Sequence, residues 1–446
     1  MFDRVLVANR GEIAVRIMAT LRRLGLTSVA VFSAADDNAR HVRSADQSFA
    51  IGPAAPAQSY LDADRVLDAA RQTGAQAVHP GYGFLAESPA FARAVMAAGL
   101  TWIGPSPEAM LAMADKVAAR NAMSAAGVPV APGTRRSVTE ADEAVSQART
   151  LGYPVMVKAS AGGGGIGMAA VSDESGLRAA FETASTRAQR FFGSPEILLE
   201  RFLPAARHVE VQILGLADGQ VVALGERDCS VQRRHQKVAE ETPSPAVDEG
   251  LRTALMSAAV RAGEAVDYRG AGTVEFLVDT VDSAFYFLEM NTRLQVEHPI
   301  TELVTGLDLV EEQLRIAAGE APTFGATPPA PGGHAVEFRV YAEDPRRFLP
   351  GPGVIRRWEE PAGEGIRVDA GYAAGDTVTP YYDPLMAKLC AWGPDRTTAL
   401  RRAGEAVDAF VIEGPKNNLP FFAELLADPG FASGSYDTGL VGRMRS

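Results

Sequence analysis

The stretch YPVMVKASAGGGGIGM, residues 153–168, indicates most clearly how this chain folds and what it binds. Its apolar half predicts a buried strand over Val155–Ala159, with Lys158 near the end. Five glycines then fill six positions, and glycines let backbone amides approach phosphate oxygens without a Cβ in the way. Lys158 adds a positive charge for the same oxygens. We therefore predict a loop that covers nucleotide phosphates. It is not a Walker A loop, because G-K-[ST] and a following helix are missing. The alternative is a flexible linker, which would not usually follow a buried strand and a lysine.

The residues before this loop alternate between strand and helix patterns. Arg4 to Ala8 predicts a short strand, the spacing of apolar residues from Ile13 to Leu24 predicts a helix, and Ser28 to Phe32 predicts a second strand. A strand, a helix and a strand at this spacing imply a parallel sheet. The alternation continues to about residue 110 and predicts a small doubly wound domain. It lacks G-x-G-x-x-G after the first strand, so a dinucleotide site is not indicated there.

The residues after the loop predict an α+β region with an antiparallel sheet, because several predicted strands are adjacent hairpins. These strands are expected at 196–200, 209–214, 221–226, 273–278 and 285–290. A proline-rich linker at 322–331 precedes a final segment that is strand-rich from 335 to 389 and closes with a helix at 396–411. The chain therefore combines α/β and α+β regions, and its 446 residues suit two to four domains.

Composition narrows the classes of function. The net charge of −12 argues against nucleic-acid binding, which needs a basic face. Cys229 and Cys390 are the only cysteines, so a disulfide framework is excluded and a reducing compartment is expected. No apolar run approaches the length of a membrane span, and the N-terminus does not resemble a signal peptide. These features predict a cytoplasmic protein that does not act at a membrane.

A predicted hairpin carries two carboxylates. Pairing about a turn near Asp282 places Glu275 directly opposite Glu289, and like charges facing each other destabilise a sheet. A divalent cation would reverse that effect, because hard cations take oxygen ligands and bridge to phosphates. Asn291 follows Glu289 by two residues and can share its face. We predict a metal site; the alternative, a solvent-exposed pair, is disfavoured by the apolar residues on both sides.

Two further segments carry clustered polar residues. If residues 291–297 are extended, Asn291, Arg293, Gln295 and Glu297 share one face. Arginine and an amide can hold a small oxyanion there, and a carboxylate can act as a base. A surface salt-bridge cluster is the alternative.

The basic run 226–237, ERDCSVQRRHQK, lies between predicted strands and suits polyphosphate or bicarbonate, although charge runs are more often solvated faces.

Together these segments resemble the biotin carboxylases, a branch of the ATP-grasp enzymes, over about residues 2–440. The resemblance rests on ordered blocks: VANRGEIA (7–14), HPGYGFLAE (79–87), IGPSPEA (103–109), DKVAAR (115–120), KASAGGGGIGM (158–168), RHVEVQ (207–212), ERDCSVQRRHQK (226–237), EMNTRLQVEHPITE (289–302), GHAVEFRVYAEDP (333–345) and YYDPLMAKL (381–389). It implies an N-terminal domain over 1–114, an ATP-grasp domain over 115–321 with a mobile lid at about 130–203, and a β-rich C-terminal domain over 332–441.

The resemblance also implies substrates and the residues that contact them. The substrates would be ATP, bicarbonate and biotin, with Mg²⁺ or Mn²⁺ as the metal. The ATP contacts would be Lys116, Lys158, Gly164, Gly165, Glu200, Arg201, Leu203, His208, Gln232, His235 and Leu277. Glu275, Glu289 and Asn291 would bind metal; Gln295 and the Val296 backbone would bind bicarbonate; Arg339 and Tyr82 would contact biotin. Glu297, Arg293, Arg339 and Lys237 would be catalytic, Glu297 as the base that deprotonates bicarbonate and Arg339 as the group that stabilises the biotin enolate.

The implied reaction is the first half-reaction of an acyl-CoA carboxylase such as acetyl-CoA carboxylase, although the sequence does not identify the final acceptor. No Met-Lys-Met attachment site occurs in this sequence, so either the biotin carrier is another polypeptide or the sequence is part of a longer chain. The resemblance implies a biotin carboxyl carrier protein and a carboxyltransferase subunit as partners, with a homodimer as the expected assembly. The chain departs from the family at Ile166 and Ala169, where basic residues are usual, and we expect weaker ATP binding or lid closure. Phe338 replaces a smaller residue and is expected to point away from Arg339. The alternatives are another ATP-grasp ligase and a catalytically silent nucleotide-binding homologue.

Overall fold

A computed structural model describes residues 2–160, 168–234, 236–325 and 327–445 of the chain. Gly164, Gly165 and Ile166 of the glycine-rich loop, and also His235, lie outside the described residues. In the part that is described, no helix has the length and apolar character needed to cross a lipid bilayer.

The N-terminal region is a parallel sheet with helices on both faces. Its elements are β1 (Arg4–Val7), α1 (Gly11–Arg23), β2 (Thr27–Ser33), α2 (Arg40–Ser44), β3 (Gln47–Gly52), α3 (Ala63–Thr73), β4 (Ala77–His79), α4 (Pro89–Ala97) and β5 (Thr101–Trp102). The strand order is β3-β2-β1-β4-β5. The chain therefore adds β2 and β3 on one side of β1 and then β4 and β5 on the other side. The predicted doubly wound arrangement is confirmed, but β3 was not predicted.

Two helices then lead into a small separate sheet. The elements are α5 (Pro107–Ala114), α6 (Lys116–Ala125), α7 (Ala141–Leu151), β6 (Val155–Ala159), β7 (Ala169–Val171), α8 (Glu174–Phe192) and β8 (Ile197–Arg201). Strands β7, β6 and β8 form a three-stranded antiparallel sheet that packs with α7 and α8 around its own apolar core. This unit carries Lys158 and Glu200 on neighbouring strands.

The middle of the chain contributes five strands of a large antiparallel sheet. Its elements are β9 (Ala206–Gly215), β10 (Val221–Arg233), β11 (Gln236–Thr242), α9 (Glu249–Glu264), β12 (Gly270–Asp279), β13 (Phe285–Asn291), α10 (His298–Thr305) and α11 (Leu309–Ala317). The basic run 226–237 was expected between strands. It instead forms the end of β10 and the start of β11, because its charged side chains find partners across the sheet.

The last third continues the same sheet. Its elements are β14 (His334–Tyr341), β15 (Gly353–Val354), β16 (Arg357–Glu359), β17 (Ile366–Ala370), β18 (Thr377–Val378), β19 (Leu385–Gly393), α12 (Arg396–Ala409), β20 (Val411–Glu413), α13 (Leu419–Ala427), α14 (Pro429–Ser433) and α15 (Leu440–Met444). The order of the eight strands is β13-β12-β9-β10-β11-β14-β19-β17. One sheet therefore spans the middle and C-terminal thirds, joined where β11 pairs with β14.

Successive side chains on the inner strands of this sheet point to opposite faces. Phe338 on β14 is fully buried in the C-terminal core and stacks on Phe422 with ring centroids 4.6 Å apart. Its neighbour Arg339 points to the opposite face, toward Glu240 and Glu297. The prediction that Phe338 points away from Arg339 is confirmed, and this alternation brings Arg339 to the candidate site.

Candidate active site

A cavity of about 910 Å³ opens between the N-terminal region, the three-stranded sheet and the eight-stranded sheet. Most of the predicted site residues that the structure describes line it. They are Tyr82, Lys116, Lys158, Glu200, Arg201, Leu203, His208, Gln232, Lys237, Glu275, Leu277, Glu289, Asn291, Arg293, Gln295, Val296 and Arg339. Glu297 is fully buried and contacts the wall residues Lys237 and Arg339.

A row of charged residues crosses four neighbouring strands at the base of the cavity. Glu275 on β12 is directly opposite Glu289 on β13, as predicted, and on its other side is opposite Glu210 on β9. Glu210 in turn pairs with Arg227 on β10, whose Nε donates to Glu210 Oε1 at 2.6 Å. Three carboxylates thus lie side by side in a buried sheet, which favours positive charge between them.

Lys237 supplies part of that positive charge. Its Nζ donates to Glu210 Oε2 at 2.5 Å, to Glu275 Oε1 at 2.7 Å and to Glu297 Oε1 at 2.8 Å. One ammonium therefore bridges two strands of the sheet and the segment that follows β13. Burial alone would raise the pKa of Glu297, but Lys237 and Arg339 hold it well below its usual range.

The carboxylate of Glu275 has several partners besides Lys237. Asn291 Nδ2 donates to its Oε1 at 2.9 Å and Gln295 Nε2 at 3.2 Å, and His208 Nε2 lies 2.7 Å from its Oε2. Burial opposes ionisation of Glu275, yet Lys237 and His208 lower its pKa below the ordinary value. Burial and the charge of Glu275 together raise the pKa of Glu289.

The oxygen donors of this face fit a divalent cation. A buried carboxylate, Glu275, faces a half-buried one, Glu289, and the raised pKa of Glu289 reflects an anionic charge that a cation would offset. Asn291 adds an amide oxygen on the same face. Carboxylate and amide oxygens are the ligands that Mg²⁺ takes in proteins.

The segment after β13 is not extended, contrary to the expectation for residues 291–297. The strand ends at Asn291, and Glu297 has φ −80° and ψ 11° at the start of α10, where Pro299 occupies the first turn. The polar side chains still converge, because the chain folds around Arg293. Its Nη2 donates to Asn291 Oδ1 and its Nη1 to Gln295 Oε1, both at 2.9 Å.

Arg339 connects the two halves of the eight-stranded sheet at the site. Its Nε donates to Glu240 Oε1 at 2.7 Å and its Nη2 to Glu297 Oε2 at 2.9 Å. Glu240 and Glu297 are both almost wholly buried, so the guanidinium is held between two carboxylates away from water. The pKa of Glu240 is raised by burial, and Arg339 opposes that rise.

The opposite wall of the cavity carries the residues predicted to contact nucleotide. Lys158 pairs with Glu200, and Arg120 Nη1 donates to the same carboxylate at 2.8 Å. Burial lowers the pKa of Lys116, while the charge of Glu289 favours its protonated form. Gln232 Nε2 lies 2.5 Å from His208 Nδ1. A phosphate chain between the two walls would meet lysines on one side and the carboxylate and amide oxygens of Glu275, Glu289 and Asn291 on the other.

Several residues of the site were missed by sequence reasoning. Glu210 and Glu240 anchor Lys237 and Arg339, Arg120 fixes Glu200, and Glu87 accepts a hydrogen bond from Arg293 Nε at 3.0 Å. For Glu210 a signal existed, because it is a single carboxylate between apolar residues of a predicted strand, whereas Glu240 is followed directly by Glu241 and carries no such signal. Glu87 and Arg120 end the blocks HPGYGFLAE and DKVAAR, but nothing in their local pattern indicates a partner.

Comparisons with known proteins find similarity along nearly the whole chain. Three family models match: "Biotin carboxylase, N-terminal domain" over residues 1–110, "Carbamoyl-phosphate synthase L chain, ATP binding domain" over 115–322, and "Biotin carboxylase C-terminal domain" over 337–443. The chain is 51% identical to a biotin carboxylase of Halalkalibacterium halodurans, with 99% of this chain and 97% of that protein covered. It is 46% identical to the propionyl-CoA carboxylase alpha chain of Ruegeria pomeroyi, with 99% and 68% covered.

A similar solved structure is the biotin carboxylase domain dimer of Hydrogenobacter thermophilus 2-oxoglutarate carboxylase, in complex with MgADP, ADP and bicarbonate. The TM-score is 0.95 at 42% identity, and the match covers 99% of this chain and 98% of that chain.

Proposed function

The chain belongs to the biotin carboxylase family, and from that premise we propose how its residues carboxylate biotin with ATP, a divalent metal and bicarbonate. The observation that carries the proposal is the position of Glu297. It lies within hydrogen-bonding distance of Lys237 and Arg339, next to Arg293, Gln295 and the Val296 backbone. A carboxylate, three cations and an amide around one small space suit a planar oxyanion that must lose a proton.

Bicarbonate is proposed to bind against Lys237, Arg293, Gln295 and Val296. In the structure Glu297 is a weak base, because two cations lower its pKa. An incoming anion would share those cations, which weakens their hold on Glu297 and makes it more basic. Glu297 then takes the bicarbonate proton, and the freed oxygen attacks the γ-phosphate of ATP to give carboxyphosphate and ADP.

The nucleotide is proposed to lie across the cavity, with Lys116 and Lys158 at the phosphates. Glu200, Arg201, Leu203, His208, Gln232 and Leu277 line the space for the rest of the molecule, and we assign Gly164, Gly165 and His235 to the same contact by family resemblance. Glu275, Glu289 and Asn291 would hold Mg²⁺ or Mn²⁺, which would offset the charge that builds up during phosphoryl transfer.

Arg339 is proposed to act in the second step. Carboxyphosphate splits to CO₂ and phosphate, and the phosphate takes the N1 proton of biotin. The ureido enolate that results attacks CO₂, and the guanidinium of Arg339 stabilises its oxygen while Tyr82 contacts the biotin ring. Since Arg339 contacts the base Glu297 at 2.9 Å, the two steps share one small space.

We further propose the division into 1–114, 115–321 with a lid at about 130–203, and 332–441. The separate core of the three-stranded sheet supports a lid that moves as a unit. Carboxyphosphate hydrolyses readily in water, so a closing lid has a chemical purpose.

The proposed partners are a biotin carboxyl carrier protein and a carboxyltransferase. The similarity to the alpha chain of a propionyl-CoA carboxylase supports them, because such a chain is one part of a larger carboxylase. The relatives named above differ in acceptor, and acetyl-CoA is one candidate for this chain. A homodimer in the cytoplasm is the proposed assembly and location.

The test is ADP release with MgATP, with and without bicarbonate and free biotin. We expect turnover that requires bicarbonate and rises with biotin. Arg339→Ala should abolish the biotin response, and Glu297→Gln should abolish ATP cleavage. Arg252→Met is the matched control, because it removes an arginine of α9 that pairs with Glu226 on β10 outside the cavity. ATP binding without bicarbonate-dependent turnover, even with a biotinylated carrier, would instead support a silent homologue.

A further inference from the structure

Lys388 is a buried cation directly behind the proposed bicarbonate pocket. It lies on β19 and is fully buried. Its Nζ donates to the backbone oxygen of Val296 at 3.1 Å and lies 3.0 Å from Glu12 Oε2 and 3.7 Å from Asp369 Oδ2. One ammonium thus joins the N-terminal helix α1, the C-terminal strand β17 and the segment that carries the site.

Two carbonyl oxygens of that segment, those of Gln295 and Val296, have donors that do not line the cavity, whereas Leu294 O is bound by Arg293, which does. Arg293 Nη1 donates to Leu294 O at 3.2 Å, the backbone N–H of His298 donates to Gln295 O at 3.4 Å, and Lys388 binds Val296 O. A carbonyl oxygen turned toward an anion would repel it. Successive backbone N–H groups, by contrast, form concave sites that bind anions. Holding the Gln295 and Val296 oxygens away leaves the amide side of these peptides for bicarbonate.

Lys388 and Arg293 are the charged donors among these three, and hydrogen bonds from charged groups are the stronger ones; of the two, Lys388 is the one that does not line the cavity. Burial opposes that charge, but Glu12 and Asp369 raise the pKa of Lys388 above its ordinary value. Glu12 lies in the first turn of α1 and is itself almost wholly buried. The ammonium is therefore kept charged by an acid from a different region of the chain.

We propose that Lys388 is a positioning residue for bicarbonate, with Glu12 as its counterion. By binding Val296 O, Lys388 fixes the orientation of the peptides on which the anion rests, without touching the anion. The inference rests on the proposed function and deepens it. If Lys388 has this role, bicarbonate affinity depends on the contact between Glu12 on α1 and Lys388 on β19. ATP binding, on the far wall of the cavity, does not depend on that contact.

The test separates bicarbonate from ATP. Lys388→Met keeps the side-chain length and removes the donor, and Lys388→Arg keeps a charged donor. Cys390→Ala is the matched control, because Cys390 is equally buried on β19 but contacts Glu337. We expect Lys388→Met to raise the KM for bicarbonate about tenfold or more, which is typical for the loss of a charged hydrogen bond. ADP affinity, measured by titration calorimetry without bicarbonate, should change less than about twofold, and Lys388→Arg should recover part of the loss.

A purely structural role would lower the melting temperature of Lys388→Met and Cys390→Ala alike and leave the KM for bicarbonate unchanged, which would overturn the inference. If Lys388→Met does not fold, Glu12→Gln decides: a raised KM for bicarbonate supports the role, and an unchanged one refutes it. Absence of bicarbonate-dependent turnover in the unaltered chain would refute the proposed function itself. Normal turnover there, with an unchanged KM in the variants, would refute only the role of Lys388.

Discussion

Replacing Arg339 by methionine is expected to destabilise the protein as well as to abolish biotin carboxylation, and the two effects can be separated. Arg339 contacts two buried carboxylates, Glu240 and Glu297. Without it, Glu297 keeps the hydrogen bond from Lys237. Among the described residues Glu240 has no other donor, and its second oxygen is buried without a partner. The loss of Arg339 therefore leaves Glu240 as a buried charge without compensation.

The expected loss of stability can be worked out, because after the loss of Arg339 Glu297 keeps a partner and Glu240 does not. Removing one partner of a buried ion pair costs about 3–5 kcal/mol. Adding Glu240→Gln removes the unpaired charge but leaves an amide with unmet hydrogen bonds, which costs about 1–3 kcal/mol. The double variant should thus recover roughly 2 kcal/mol of the free energy of unfolding. Biotin-dependent turnover should stay absent, because no guanidinium is present to stabilise the enolate.

The assay compares four proteins: the unaltered chain, Arg339→Met, Glu240→Gln and the double variant. Urea denaturation of each is followed by tryptophan fluorescence, and ADP release is measured for each. Measurements at about pH 8 keep the effect large, since burial raises the pKa of Glu240 and the unpaired carboxylate is most costly when ionised. Destabilisations that simply add, with the double variant less stable than Arg339→Met alone, would refute the reasoning. Arg252→Met, which removes an arginine from a pair outside the cavity, should leave turnover unchanged.

Three further outcomes are expected. Glu241 is buried against His334, Arg396 and Tyr436. Burial alone would raise its pKa, but His334 and Arg396 lower it to about 2, so its stabilisation of roughly 3 kcal/mol is complete above about pH 4.5 and is lost as the pH falls toward 2. The difference in unfolding free energy between the unaltered chain and Glu241→Gln should therefore shrink as the pH is lowered from about 7 toward about 3, and a constant difference would contradict this origin. Removal of Mg²⁺ by EDTA should stop ADP release, and Mn²⁺ should restore it. Glu289→Gln should raise the Mg²⁺ concentration needed for half-maximal turnover by about tenfold. An unchanged Mg²⁺ concentration for half-maximal turnover would exclude Glu289 as a ligand. Ile166→Arg should lower the KM for ATP, and an equal or higher KM would show that the missing basic residue is not limiting.

The sequence predicted what depends on local pattern and missed what depends on distant partners. The parallel order around β1 followed from the alternation of strands and helices, and the opposition of Glu275 and Glu289 followed from a single hairpin. Strand β3 was missed because only Ile51 of its six residues is buried, so it lacks the apolar run that marks a strand.

The basic run 226–237 and the segment after Asn291 show the same limit. Charged residues in β10 and β11 look like a solvated loop until the carboxylates of other strands are placed beside them. Arg293, Gln295 and Glu297 do converge, but through a turn that the helix α10 and Pro299 impose rather than through strand alternation. The role of Glu240 becomes apparent only from its contact with Arg339, which lies 99 positions further along the chain.

The pairing of β11 with β14 has a consequence for synthesis on the ribosome. Ala239 is paired with Phe338, so the β11 edge stays unpaired until nearly a hundred more residues have been made. An open strand edge of that kind is a template for pairing with another nascent chain. The N-terminal region can complete its own sheet early, but the middle third cannot. Translation that stalls between these strands should therefore yield aggregation-prone or chaperone-bound intermediates, and a slow codon stretch there would be more harmful than one placed before residue 110.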